Sequence, residues 1–114
     1  MQAASDGARS EAERLLVKLL REAGVAGWHT NYPIGPYKAD VAFPGPKIVI
    51  EVDGWAFHSD QEDFQNDRKR QNYIALMGWQ VLRFTWLDLV EYPARVISEV
   101  RAAISARLRT LSER

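Results

Sequence analysis

The sequence predicts a single α/β domain, a mixed sheet of about four strands flanked by helices in the order αβββαβα. Three observations predict it. Apolar residues recur at helical spacing near both ends, in Leu15, Leu16, Leu19, Leu20 and again in Val96, Ile97, Val100, Ile104, Leu108. Between them, two runs alternate at period two around a Pro44-Gly45-Pro46 turn. The chain has 114 residues, 46% hydrophobic and 26% charged, which suits one packed core and is too short for two.

Residues 1–9 are small and polar and are expected to be a flexible start to a single domain over residues 10–112. From Ser10 the pattern turns helical, with Ser10 and Glu13 spaced as a capping box and Gly24 as the stop. Trp28 to Ile34 reads as a short strand closed by Gly35-Pro36. Tyr37–Phe43 and Lys47–Asp53 form a hairpin. A second helix starts at Asp63 or Asn66 and runs to Met77, with Gly78 after it. Trp79–Thr85 is a strand, and a last helix starts at Pro93 or slightly before.

The chain has no cysteine. Disulfide scaffolds, thiol nucleophiles and zinc-thiolate sites are therefore excluded, and a reducing, cytoplasmic location is the expectation. No apolar run approaches the ~20 residues of a membrane span, so no membrane partner is expected. Fifteen basic and fifteen acidic residues cancel. Their distribution is uneven. Residues 51–67 hold six acids and no base, whereas residues 68–114 carry a net charge of +5. This order suits a protein that holds a cation beside a polyanion; a solvated loop and helix cap would read the same way.

The hairpin sharpens the choice. With Gly45-Pro46 in the turn, Phe43 opposes Ile48 and Asp40 opposes Glu51, while Lys38 opposes Asp53. One face collects Tyr37, Ala39, Val41, Phe43, Ile48, Ile50 and Val52; the other collects Lys38, Asp40, Ala42, Val49, Glu51 and Asp53. Carboxylates opposed on a sheet repel. Either a hard divalent cation offsets that repulsion, since Mg²⁺ takes one or two carboxylates with water and phosphate oxygens, or a basic side chain such as Lys38 or Arg70 neutralises the cluster. After Asp53 come Gly54, Trp55, Ala56, Phe57 and His58. The histidine is placed to return over the acidic face as a proton-transfer group, or to act merely as a cap. Trp55 and Phe57 either pack under the loop or present rings to bases.

These residues, in this order, resemble the PD-(D/E)XK nuclease superfamily, and within it the very-short-patch repair endonuclease branch with its stand-alone relatives. The resemblance covers about residues 10–90. It rests on Ser10-x-x-Glu13, Pro33-Ile34-Gly35-Pro36-Tyr37, Ala39-Asp40, Ile50-Glu51-Val52-Asp53-Gly54 with His58, Asp67-Arg68-x-Arg70, and Leu76-x-Gly78-Trp79-x-Val81-Leu82-Arg83-Phe84. It implies a restriction-endonuclease-like αβββαβα core and a Mg²⁺-dependent (or Mn²⁺-dependent) DNA endonuclease or nickase, a phosphodiester hydrolase. By the same likeness Asp40, Glu51 and Asp53 are the expected metal ligands. Glu13 matches an acidic residue of the first helix, and His58 a proton-transfer histidine. Trp55 and Phe57 fall in a loop that enters the duplex in the repair branch. Arg68, Lys69, Arg70 and Arg83 are the expected phosphate contacts.

Two departures stand out. The superfamily's lysine, two residues after the glutamate, is Asp53 here, and Ala39 replaces the motif's proline. The repair branch also lacks that lysine, so either His58 or Lys38 is expected in its place. Without cysteines the structural zinc site of the repair enzyme is missing, and mismatch specificity is not implied. A catalytically inactive nuclease-fold module that binds nucleic acid, of the sort fused to antitoxin or abortive-infection proteins, is the alternative reading. DNA is expected ahead of RNA, and a homodimer would be one way to cut both strands.

Overall fold

The computed structural model describes residues 3–53 and 61–112, with side chains from Glu11 onward in the first helix and from Gln65 onward in the second. The elements are α1 (Ala3–Glu22), β1 (His29–Ile34), β2 (Tyr37–Phe43), β3 (Ile48–Asp53), α2 (Gln61–Leu76), β4 (Gln80–Thr85), α3 (Trp86–Glu91) and α4 (Pro93–Ser112). The sheet runs β1-β2-β3-β4. The first three strands are antiparallel neighbours and β4 joins β3 in parallel, so the sheet is mixed, as expected. Trp55, Phe57 and His58 lie outside the described residues.

Glycines end both long helices that precede strands. Gly24 (φ 74°) and Gly78 (φ 92°) sit in the left-handed region. The amides on and after each glycine close back on the last turn: Gly24 to Arg21 and Val25 to Leu20, Gly78 to Ala75 and Trp79 to Ile74. The β2–β3 ladder pairs Phe43 with Ile48, Ala42 with Val49 and Val41 with Ile50, in the expected register. The loop between them is a four-residue turn, Pro44–Lys47, with Lys47 at positive φ.

The sheet divides two unequal layers. On one face α1, α3 and α4 bury Ala12, Leu16, Leu20, Leu89, Val96 and Val100 against Val41, Phe43, Ile48, Ile50, Val52 and Phe84. On the other, α2 sets Ile74 against Ile34, Ala39, Ala42 and Val49. Gly35 locks this layer to the first hairpin. It occupies the tight turn between β1 and β2 with φ 59°, and the Tyr73 ring lies where a Cβ would project. Tyr73 also meets Tyr37 edge-on, with ring centres 5.5 Å apart.

Three sequence expectations need correction. Helix α1 begins at Ala3, so Ser10-x-x-Glu13 lies inside the helix instead of capping it. A real capping box sits elsewhere. Thr85, still extended as the last residue of β4, accepts the Asp88 N–H, and the Asp88 carboxylate accepts the Thr85 N–H; this starts α3, which the sequence reading passed over. Tyr37 and Ala39 face α2 and not the larger core, because side-chain alternation along β2 breaks between Ala39 and Val41. Finally, Leu108 is 47% exposed and does not join the core that Val96 and Val100 enter.

Candidate active site

Strand β3 is buried on both faces and alternates its cargo. Ile48, Ile50 and Val52 join the larger core, while Val49, Glu51 and Asp53 turn toward α2. Helix α2 answers with a sheet-facing stripe that changes character along its length. Ile74 packs on Val49, one turn earlier Arg70 reaches Glu51, and near its start Asp67 reaches Arg83. Positions 67, 70 and 74 share one helix face. The same side of α2 therefore seals the apolar patch and closes over the carboxylates.

Asp40 and Glu51 are the two buried acids of the described residues, 5% and 4% exposed. They lie on adjacent strands. Where the β2–β3 ladder ends at Val41 and Ile50, the Asp40 carboxylate itself accepts the Val52 N–H at 3.3 Å. The break in alternation along β2 falls at this residue. Asn31, between the paired positions that flank Asp40 on β1, has φ 51°. The local backbone turn thus falls where Asp40 enters the ladder.

Arg70 supplies the counter-charge. Its Nη1 donates to Glu51 Oε1 at 2.8 Å and its Nη2 to Oε2 at 2.9 Å, a two-pronged pairing. Nη2 also donates to the Lys38 carbonyl at 2.7 Å, so one guanidinium ties α2 to both β2 and β3. Burial pulls the guanidinium's pKa down. The hydrogen bonds and charge of Glu51, with Asp40 and Asp67 nearby, outweigh that and hold it above its ordinary value.

Asp53 belongs to a second, more open pair. Arg83 Nη2 lies 2.7 Å from its carboxylate, and Nη1 lies 3.5 Å from Asp67. The expected opposition of Asp53 and Lys38 is replaced by this contact. Parallel pairing sets Arg83 beside Glu51, from where its long side chain reaches the next α2-facing residue on β3, whereas the β2 ladder stops short of Asp53. Arg83, expected as a phosphate contact, is here bonded to two carboxylates. Among the described residues no three His, Asp or Glu side chains gather as a metal-holding group.

The remaining described candidates lie on α1, α2 and β2. Arg68 and Lys69 are exposed on α2, and the Lys38 side chain is exposed on β2. Glu13 lines a groove of about 580 Å³ between α1 and β1, with Arg14, Lys18, Arg21, Thr30 and Asn31 among its walls. None of the described helices is long and apolar enough to cross a membrane.

Comparison with known proteins agrees with this layout. No curated protein matches the chain. Among solved structures, the catalytic domain of the homing endonuclease I-Bth0305I superposes with a TM-score of 0.68 at 20% identity, over 84% of this chain and 95% of that one. At that identity the likeness concerns the fold. The sequence profile of REase_MTES_1575, a restriction-endonuclease-like family, matches residues 13–104. That span holds every described candidate residue from Glu13 to Arg83, and the chain belongs to this restriction-endonuclease-like family.

Proposed function

We propose that this domain is a divalent-metal-dependent nuclease that hydrolyses phosphodiester bonds in DNA. The observation that carries the reading is the placement of two buried carboxylates, Asp40 and Glu51, on neighbouring strands of a nuclease-family sheet. Arg70 supplies one positive charge to these two buried anions, and a divalent cation would offset both. The donor set fits Mg²⁺ or Mn²⁺ in chemistry: hard oxygens, two carboxylates, and space in the ion's shell left for water and phosphate. When bound, such an ion polarises the scissile phosphate and makes a water more acidic.

The chain's own residues do the rest. Asp40 and Glu51 hold the ion. Asp53 is the outer carboxylate, and its pairing with Arg83 keeps it at the rim, where it joins the ion through water at most. Arg68 and Lys69, exposed on α2, contact the backbone of the duplex and position it without reading sequence. His58, or failing it Lys38, takes the proton of the attacking water; Asp53 stands where the superfamily has its lysine and cannot do so as a cation. Trp55 and Phe57 contact bases next to the cut, as in the repair branch. Glu13, in the groove between α1 and β1, keeps the role the resemblance implies, that of the acidic residue of the first helix.

A second reading has one observation in its favour. Both oxygens of Glu51 are bonded to Arg70, the arrangement expected if the module binds nucleic acid without cutting it. Incubation with supercoiled DNA, linear DNA and RNA in Mg²⁺, Mn²⁺ or EDTA separates the two. The nuclease reading expects metal-dependent loss of supercoiled DNA, abolished by Asp40→Asn and by Glu51→Gln. Binding without cleavage in any metal leaves the second reading, and cleavage confined to RNA changes the substrate.

A further inference from the structure

Glu51 has one carboxylate and two claimants. In the structure each of its oxygens takes an N–H from Arg70, at 2.8 and 2.9 Å, and the pair is nearly closed to solvent, with side chains 15% and 5% exposed. A divalent ion shared with Asp40 needs at least one of those oxygens. A guanidinium left in place would face a dication across a buried carboxylate, in surroundings where water screens little.

We propose that Arg70 and the divalent cation are alternative occupants of Glu51. The arginine stands in for the ion in the metal-free protein and leaves when the ion enters. This rests on the reading that Asp40 and Glu51 hold the metal.

Three features of the geometry support an exchange. First, the charge at Glu51 is compensated in both states, so neither leaves a naked buried carboxylate. Second, Arg70 is held at the outer edge of the pair. It sits on α2, and its third bond goes to the Lys38 carbonyl at the protein's surface, so the side chain swings out without unpacking Ile74 one turn below. Third, a guanidinium that leaves Glu51 presents a planar fork whose geometry matches a phosphate as well as a carboxylate. It emerges beside Arg68 and Lys69, where the nucleic-acid backbone is proposed to run. Arg70 is in these terms a positioning residue, a lock on the ligand that the ion must open.

The exchange weakens the site by a calculable factor. If the arginine-free form is ~10% populated, the ion binds about ten times more weakly than to the bare carboxylates. The test is calorimetric titration of the whole chain with Mg²⁺ and Mn²⁺, for wild type, Arg70→Met and Arg70→Lys, with thermal melting in EDTA and in metal. The exchange predicts that Arg70→Met melts below wild type in EDTA, binds metal roughly tenfold more tightly, and gains more in melting temperature when metal is added. Arg70→Lys keeps a cation without the fork, remains folded, and shows a smaller gain in affinity.

Metal affinities of both variants equal to or weaker than wild type would overturn the exchange. If Asp40→Asn still abolishes a tight wild-type site in that case, the metal-dependent reading stands and only the exchange is lost. No binding to any of the proteins would remove both.

Discussion

The two faces of β3 show how differently one strand serves a domain. Ile48, Ile50 and Val52 sink into the layer of α1, α3 and α4, where every partner is apolar. Val49 and Glu51, one residue out of phase, meet α2 through an apolar contact with Ile74 and the Arg70 ion pair, while Asp53 pairs with Arg83 of β4. Both faces are closed to water around residue 51, yet burial has opposite meanings on them. Removing apolar atoms from the first leaves a cavity. Removing a partner from the second leaves a charge. The lesson is that α2 adheres to the sheet by the ion pairs of Asp67 and Arg70 and by Ile74 one turn later, so compensated charge holds one face of the strand and apolar packing the other.

The largest expected effect breaks the charged face. Glu51→Gln should abolish metal binding and deprive Arg70 of its bonded counter-charge, leaving only the more distant Asp40 and Asp67, at a cost approaching the roughly 3–5 kcal/mol of a broken buried pair; chemical denaturation checks it. Without Arg70 the cross-strand repulsion of the carboxylates would make loss of one of them cheap; the two-pronged pairing reverses that sign. The complementary double variant, Glu51→Leu with Arg70→Met, makes the α2 face resemble its opposite. It should recover most of that loss while binding no metal, since apolar replacements of buried pairs are commonly neutral or stabilising. If the double variant is as unstable as the single one, the contrast between the faces is false.

On the apolar face, Ile50→Ala should cost about 2–5 kcal/mol, and metal affinity in the folded fraction should be unchanged. Next comes the joint between the hairpin and α2. Gly35→Ala must hold a side chain at φ 59° and push the Tyr73 ring aside, for about 1–3 kcal/mol. Because Tyr73 lies three residues beyond Arg70, this variant should also loosen the Arg70–Glu51 pair, read as a metal affinity shifted toward that of Arg70→Met.

The smallest effect lies at the start of α3. Thr85→Ala removes a cap worth about 1 kcal/mol. The cap is also acid-sensitive. The Thr85 amide, with the Thr85 hydroxyl and Arg95 alongside, holds the Asp88 carboxyl below its ordinary pKa against the pull of desolvation. A lowered carboxyl contributes stability that is present above its unfolded pKa of about 3.9 and lost as pH falls through the lower folded value. Wild type should therefore lose more stability than Thr85→Ala between pH 4 and the folded value, by melting at stepped pH.

Much of the architecture was open to inspection in the residues themselves. Local rules act over a few positions and need no partner. Gly24 and Gly78 mark helix ends because their backbone tolerates positive φ. The period-two apolar pattern around Pro44-Gly45-Pro46 sets Phe43 against Ile48, since a slip by one would turn the apolar set out of the core. The same register brought Asp40 and Glu51 to neighbouring strands and singled them out as candidates. The capping signal at Thr85-x-x-Asp88 is equally local; Ser10-x-x-Glu13 has the same spacing but lies inside a helix that starts at Ala3.

What the sequence by itself determined, then, was the order of the four strands and three long helices, the hairpin register and the placement of Asp40 and Glu51 on neighbouring strands. The tertiary structure alone decided who compensates them. Lys38 and Arg70 were equal candidates along the chain. The choice fell to Arg70 because α2 crosses the sheet on the side that Glu51 faces, and to Arg83 for Asp53 because β4 pairs in parallel one strand away. It also moved Tyr37 and Ala39 to the α2 side, where β2 loses its alternation at Asp40. A side chain's partner depends on which element packs over it, and residues 19 and 30 positions apart in sequence become ion pairs only when the sheet and helix close together.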